Sequence, residues 1–281
     1  MFRVVVGIVV YVASIGALQA AVADLDRWTL VQDPPHPGLT ATATASAVTL
    51  SAGNVAIPSG TDIGFQGVNG QTAAVSTSGF AFDSASDVSV AIDYEWFFSG
   101  SPVGVLGLGF GIGEDRDGMN SAGVALLTSS GVPALSFGAS RVADATQAPL
   151  PFSFSSLSGT LFVDYYAANG DVFVGAAPTP SASAPTTGAT LIGIQNSWND
   201  QDLLVSFFVR SDQILPGSNW QGGQADATFS NFRVFEGTVT AVPEPIAMPL
   251  IALSGLLAAR RSRRPPSARW VNQHDRATPL G

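Results

Sequence analysis

The stretch Asp87-Val88-Ser89-Val90-Ala91-Ile92-Asp93-Tyr94-Glu95-Trp96-Phe97-Phe98 decides the fold. Val88, Val90, Ile92, Tyr94, Trp96 and Phe98 fall on one side of an extended chain. Asp87, Ser89, Ala91, Asp93 and Glu95 fall on the other. Strict alternation of this kind predicts a half-buried strand of an antiparallel sheet. The next stretch, 103–113, keeps the period. Leu106, Leu108, Phe110 and Ile112 share one face, and Gly107, Gly109, Gly111 and Gly113 share the other. A row of glycines lets either a neighbouring aromatic or a ligand approach the backbone, and aromatic packing is the favoured reading. Further strands are predicted near 47–50, 63–65, 72–82, 123–128, 134–139, 161–166, 172–175, 191–195, 203–210 and 227–235. Asn69-Gly70 and Asn169-Gly170 mark tight hairpin turns between them. Residues 177–188, rich in Pro, Ser, Thr and Ala, read as a surface loop. No helical periodicity precedes residue 246. Some dozen strands with Gly-rich turns predict an all-β fold, one antiparallel two-sheet sandwich over 24–240.

Composition fits a Gly/Ser/Thr-rich β protein. The 281 residues include no cysteine and no lysine; 12% are charged and 46% hydrophobic. Without cysteine there is no disulfide, thiolate nucleophile or thiolate metal site. The formal net charge is −9, and between Asp24 and Val242 five arginines face 19 acids, a net −14. Such a surface repels phosphate backbones, so nucleic acid is not an expected partner. It suits divalent cations and neutral polymers. His36 and His274 are far apart and form no metal pair, and no Gly-x-Ser-x-Gly elbow is present.

The two ends carry address information. Arg3 precedes an apolar run from Val4 to Leu18, and Ala21-Val22-Ala23 is a small-residue cleavage site that leaves Asp24 as the mature start. Residues 1–23 are therefore expected to be a secretory signal peptide, handled by the general secretion machinery. Near the other end stand Val242-Pro243-Glu244-Pro245, an uncharged run from Ile246 to Ala259, and the cluster Arg260, Arg261, Arg263 and Arg264. The prolines hold Glu244 on a stiff extended segment. As a helix the apolar run reaches about 21 Å at 1.5 Å per residue, short of the roughly 30 Å hydrocarbon core, and snorkelling arginines lengthen it. The arginines are expected to stay cytoplasmic by the positive-inside rule.

Motif, apolar run and arginine cluster in this order, over 241–264, resemble the PEP-CTERM sorting signal of bacterial surface proteins. The resemblance implies transient inner-membrane anchoring by a short C-terminal transmembrane helix. An exosortase-type processing enzyme then cuts near the triplet, and the protein is delivered to the cell surface or extracellular matrix. Members of that family usually stop soon after the arginines; here residues 265–281 follow and are expected to be a disordered tail.

The order of the predicted strands, with Trp28 early, Tyr165-Tyr166 before a turn and a closing Phe229-Ser230-Asn231-Phe232-Arg233-Val234, resembles concanavalin A-like and laminin G-like jelly rolls. Laminarinase-like glycoside hydrolases of that fold carry a Glu-x-Asp-x-Glu strand, which Ala91-Ile92-Asp93-Tyr94-Glu95 resembles, except that Ala91 stands where the nucleophile would be. A retaining glycosidase needs two carboxyls about 5–5.5 Å apart; with the first missing, the pairing is broken and the domain is expected to be non-catalytic. Asp115, Asp117 and Asn120, turned by Gly118, resemble part of a calcium loop. They are read either as a structural or ligand-bridging calcium site or as a hairpin turn with solvated acids, and no cofactor is required. Trp198 and Trp220, beside amides and carboxylates, are candidate sugar-stacking platforms, or else rings that close the sandwich ends. The expected function is a non-catalytic, glycan-binding β-sandwich at the cell surface, with polysaccharide as its partner. A purely structural coat component is the alternative, and a glycoside hydrolase ranks below both.

Overall fold

The computed structural model describes residues 24–67, 80–113, 121–142, 145–194, 202–212 and 219–241. The chain divides into two units, 1–244 and 245–281, and the described residues all belong to the first. The expected signal peptide with Ala21 and Ala23, the motif at 242–245, the apolar run, Arg260, Arg261, Arg263, Arg264 and residues 265–281 lie outside the described residues. So do Asn69-Gly70, Asp115, Asp117, Asn120 and Trp198. Among the described residues no helix is long and apolar enough to cross a membrane.

After a 3-10 turn at Leu25–Arg27, the regular elements among the described residues are all β-strands. In order, the strands are β1 (Thr29–Asp33), β2 (Leu39–Ala43), β3 (Ala47–Ala52), β4 (Asp62–Gln66), β5 (Phe80–Phe82), β6 (Val88–Val103), β7 (Val105–Gly113), β8 (Ser121–Ser129), β9 (Val132–Val142), β10 (Ala145–Thr146), β11 (Leu150–Phe152), β12 (Ser158–Tyr166), β13 (Asp171–Ala177), β14 (Thr187–Leu191), β15 (Leu204–Asp212), β16 (Gln221–Glu236) and β17 (Val239–Ala241). An eight-stranded sheet runs β1-β4-β15-β7-β8-β9-β10, with β11 also on β9. A seven-stranded sheet runs β14-β13-β12-β6-β16-β3-β2, and β17 pairs with β5. All of these pairings are antiparallel. The fold is an all-β, jelly-roll-like sandwich.

The core lies between the sheets, and the alternation read in the sequence supplies it. Val88, Val90, Ile92, Tyr94 and Trp96 of β6 face Leu106, Leu108, Phe110 and Ile112 of β7 within one buried cluster. Aromatic contacts cross the layer: Phe207 of β15 lies 4.5 Å from Phe229 of β16, and Trp28 touches both Phe207 at 5.4 Å and Phe232 at 5.0 Å. Such pairs contribute about 0.5–1.5 kcal/mol each beyond the area they bury.

Two sequence expectations change. Strand β6 is not half solvated along its length. Ala91 and Asp93, on its outer face, are buried as well, because the loop after β13 folds back over them. That loop is also shorter than expected, since its last residues enter β14. Asn169-Gly170 turns as predicted, with Gly170 at φ 71° donating to the carbonyl of Tyr166 at 2.8 Å.

Candidate functional site

The outer face of β6 carries the strand that resembles the hydrolase motif. Ala91 packs against Phe162, Ala177 and Ala182 in a small closed apolar cluster. The nucleophile position is therefore sealed as well as vacant. Asp93, two residues on, is fully engaged. It accepts hydrogen bonds from Thr160 Oγ1 at 2.7 Å, from Ser181 N at 3.0 Å and from Asn231 Nδ2 at 2.8 Å. It also pairs with Arg233 Nη2 at 2.9 Å, and Arg233 Nη1 donates to the carbonyl of Ala182 at 3.0 Å. Two local distortions make this possible. Asn231 and Ser181 adopt left-handed backbone, φ 51° and φ 59°, and β16 bulges between Ser230 and Arg233. A bulge re-aims side chains; here it keeps Phe232 in the core while bringing Asn231 and Arg233 onto Asp93. Burial pushes the Asp93 carboxyl up, but the bonds from Thr160, Asn231 and Ser181 together with the Arg233 charge outweigh it, and the net shift is downward. Asp93 is the pin of a loop, and Glu95 beside it is exposed.

Trp220 takes the second of its two expected roles, a ring that closes the sandwich. It is fully buried, its ring 6.0 Å from Phe98, and its carbonyl accepts from Ile57 N at 2.9 Å. A ring with no accessible face cannot stack on a sugar, so Trp220 closes the sandwich interior. Among the described residues no group of three or more His, Cys, Asp or Glu is placed to hold a metal.

A concave feature lies on the outer face of the eight-stranded sheet. Its rungs follow from the register. One runs Gln66, Ser206, Gly111, Gly123, Ala139; the next runs Gly64, Phe208, Gly109, Ala125, Phe137; a third runs Leu204, Gly113, Ser121, Arg141. Outward side chains normally cover a sheet face, but here neighbouring positions on β7, β8 and β9 carry a hydrogen or a methyl. The result is a groove of about 300 Å³. Gly111 and Gly123 approach so closely that a Cβ on either would meet backbone atoms at 2.7 and 2.6 Å. The aromatic expected above the glycine row is Phe208. Its ring covers Gly109, where a Cβ would lie 2.3 Å away, and it is half-buried. The groove is thus bordered by an aromatic ring, the Gln66 amide, the Ser206 and Ser121 hydroxyls, and Arg141 and Arg210. Sequence reading found the glycines of β7 but missed Phe208, Gln66, Ala139 and the arginines, because only the register brings them to one face.

No family model and no curated protein matches the chain. Solved structures resemble it at low identity. A Saccharomyces cerevisiae protein of unknown function is 10% identical, with TM-score 0.44 over 79% of this chain and 100% of its own. An alginate lyase from Pseudomonas aeruginosa is 15% identical, with TM-score 0.43 over 76% and 100%. A Bacillus licheniformis β-glucanase is 10% identical, with TM-score 0.36 over 72% and 93%.

Proposed function

We propose that this chain is an exported cell-surface or extracellular-matrix protein that binds glycan, without cleaving it, in the groove of the eight-stranded sheet. The observation that carries the reading is the row of side-chain-poor positions, Gly111, Gly113, Gly123, Ala125 and Ala139, sunk beside the half-buried ring of Phe208. A pyranose presents an apolar face and hydrogen-bonding edges. Its binding sites combine an aromatic surface with a few polar groups in a concavity, and Phe208, Gln66, Ser206 and Ser121 are those groups. Hydrolysis is disfavoured on both faces. Among the described residues lining the groove, Asp62 is the one carboxylate and there is no His or Tyr. On β6 the candidate carboxylate pair is reduced to a pinned Asp93 and a solitary Glu95.

Export rests on the sequence: the signal peptide ending at Ala23, the motif Val242-Pro243-Glu244-Pro245, and the arginines 260, 261, 263 and 264. The partners of this route are the secretion machinery, an exosortase-type enzyme and, transiently, the membrane. The test is a glycan-array screen of the full-length protein in detergent, with calcium and with chelator, beside Ala139→Trp, whose indole would fill the groove. Binding that Ala139→Trp abolishes supports the reading. Loss with chelator adds a calcium at Asp115, Asp117 and Asn120. A folded protein that binds no glycan in either condition leaves the alternative, a structural coat component.

A further inference from the structure

We infer that the outer face of the seven-stranded sheet carries a second glycan site, for a polysaccharide bearing free amino groups, seated on Tyr166 and Phe235. The inference is independent of the groove on the other sheet. It starts from where aromatic rings are left uncovered. Among the described residues three aromatic side chains are exposed, Phe97, Tyr166 and Phe235, and all three lie on this one face. Phe97 follows the core residue Trp96 on β6, and Tyr166 follows the core residue Tyr165 on β12. Phe235 stands beside Arg233, whose guanidinium is 5.7 Å from the ring centroid and reaches Asp93 on the same face. The loop pinned on Asp93 crosses this face. Its Ala182 N donates to Thr160 of β12, its Ser181 N to Asp93 of β6, and its Ser181 Oγ accepts from Asn231 of β16. Phe97 therefore lies on one side of the loop, and Tyr166 and Phe235 together on the other.

The spacing of that pair follows from the register. Glu236, Ser89 and Asp164 form one rung across β16, β6 and β12. Tyr166 lies two residues beyond Asp164, and Phe235 one residue before Glu236. With about 3.4 Å per residue and about 4.8 Å between strands, the Cα atoms of the two aromatics stand roughly 13 Å apart. That span exceeds one pyranose, so the two rings would stack on separate units of one chain. Isolated rings on a flat sheet face suit a sugar, whose apolar face needs only a ring to lie on. A peptide is held instead by a sheet edge or by pockets for its side chains.

The carboxylates decide the charge of the ligand. Partial burial, and then the carboxylates of Asp164, Asp87 and Glu236, raise the Tyr166 phenol above its ordinary value, so three acids act on the ring together. The cation described on this face is Arg233, and Asp93 neutralises it at 2.9 Å. The chain has no lysine. The charged residues of 24–241 that lie outside the described residues are Glu114, Asp115, Arg116, Asp117, Asp144 and Asp200, which together are acidic as well. An anionic polymer is repelled by such a surface. A protonated sugar amine is attracted both by the carboxylates and by the faces of the two rings, as Arg233 already is by Phe235.

The experiment measures binding of the full-length protein in detergent to a glucosamine polymer, to its fully N-acetylated counterpart and to polylysine, in mildly acidic buffer where the amines carry protons. It is repeated with Tyr166→Ala/Phe235→Ala, with Asp87→Asn/Glu236→Gln and with Ala139→Trp, and far-UV circular dichroism confirms folding of each variant. The expected result is at least tenfold tighter binding of the glucosamine polymer than of the other two. The aromatic variant should lose at least tenfold of that affinity, and the carboxylate variant should lose the preference for free amines. Ala139→Trp, which fills the groove on the other sheet, should change neither. Equal affinity for the free and acetylated polymers, affinity unchanged in the aromatic variant, or a preference unchanged in the carboxylate variant overturns the inference. Polylysine bound as tightly as the glucosamine polymer assigns the face to basic peptides and overturns it too. Loss confined to Ala139→Trp places the polymer in the groove, which supports the reading above and overturns this one.

Discussion

Asp93 and Asp164 sit on the same outer face, on paired strands, and titrate in opposite directions. Asp93 is held below the ordinary aspartate value, and Asp164 is pushed above it by burial, which the hydrogen bond from Ser89 at 2.5 Å only partly offsets. The signs follow from linkage. A depressed folded value means that the stability from Asp93 is complete above its unfolded value and is lost as pH falls through the folded one. Asp93→Asn should therefore destabilise by about 3 kcal/mol at neutral pH, the cost of breaking a buried pair from one side, and the deficit should shrink below about pH 4. Asp164→Asn should do the reverse, being neutral or stabilising at pH 7, because a raised folded value lowers stability as pH rises from about 4. Urea melts of both variants at pH 3 and 7 check this; parallel pH profiles would overturn the assignment. Trp220 gives a third residue-scale test. Its Nε1 has no partner although it is buried, so Trp220→Phe removes an unsatisfied donor and should cost less than Trp220→Ala, which should cost about 3–5 kcal/mol. Neither should alter glycan preference in a protein that remains folded, as the ring has no exposed face.

At the scale of the element, the glycines of β7 and β8 are not equivalent. At Gly107 a new methyl meets Leu127 Cδ2 at 2.7 Å, the end of a flexible side chain, whereas at Gly123 it meets the Phe110 carbonyl oxygen at 2.6 Å. A side chain can turn aside and a paired strand cannot. Gly107→Ala should be close to neutral in thermal melts. Gly123→Ala should lose about 1–3 kcal/mol, the range for overpacking. Similar melting temperatures for the two would show that the strands can part at Gly123. Strand β7 also shows what the sequence made legible. Its alternation and that of β6 located the core and the glycine row, because burial on one face of a strand writes a period of two into the chain. Strand β14 was illegible: Thr187-Gly188-Ala189-Thr190-Leu191 continues a small-residue stretch without alternation, and pairing with β13 makes it a strand. Trp220 was left between two readings for a related reason. Its polar neighbours Asn219 and Gln221 suggest a loop, yet the ring turns inward under Ile57 and Phe98. The groove needed the register of β15, β7, β8 and β9 together, which no single stretch contains.

For the whole molecule, the question is how a folded sandwich leaves the tether proposed for its C-terminal end. Val239–Ala241 forms β17 on Phe80–Phe82, and the carbonyl of Thr238 accepts from Asp83 N at 2.9 Å. Ala241 is thus held by strand pairing, and the motif Val242-Pro243-Glu244-Pro245 begins at the next residue. A processing enzyme binds its substrate as an extended segment. It would have to strip β17 from β5 to cut upstream of Ala241, whereas a cut within the motif leaves that pairing in place. The prolines at 243 and 245 help, since they cannot donate to a further strand and so cannot extend the β17 pairing. We therefore predict that mass spectrometry of the protein released by its native host finds a new C-terminus after Ala241 and no later than Pro245. The released form should melt at the same temperature as the uncut chain, because no residue of the sandwich has been removed. Glu244→Ala should leave the protein uncut in the membrane fraction. A mature C-terminus inside β17, or release that Glu244→Ala does not affect, would mean that the segment is a simple anchor and that the sandwich reaches the surface by another route.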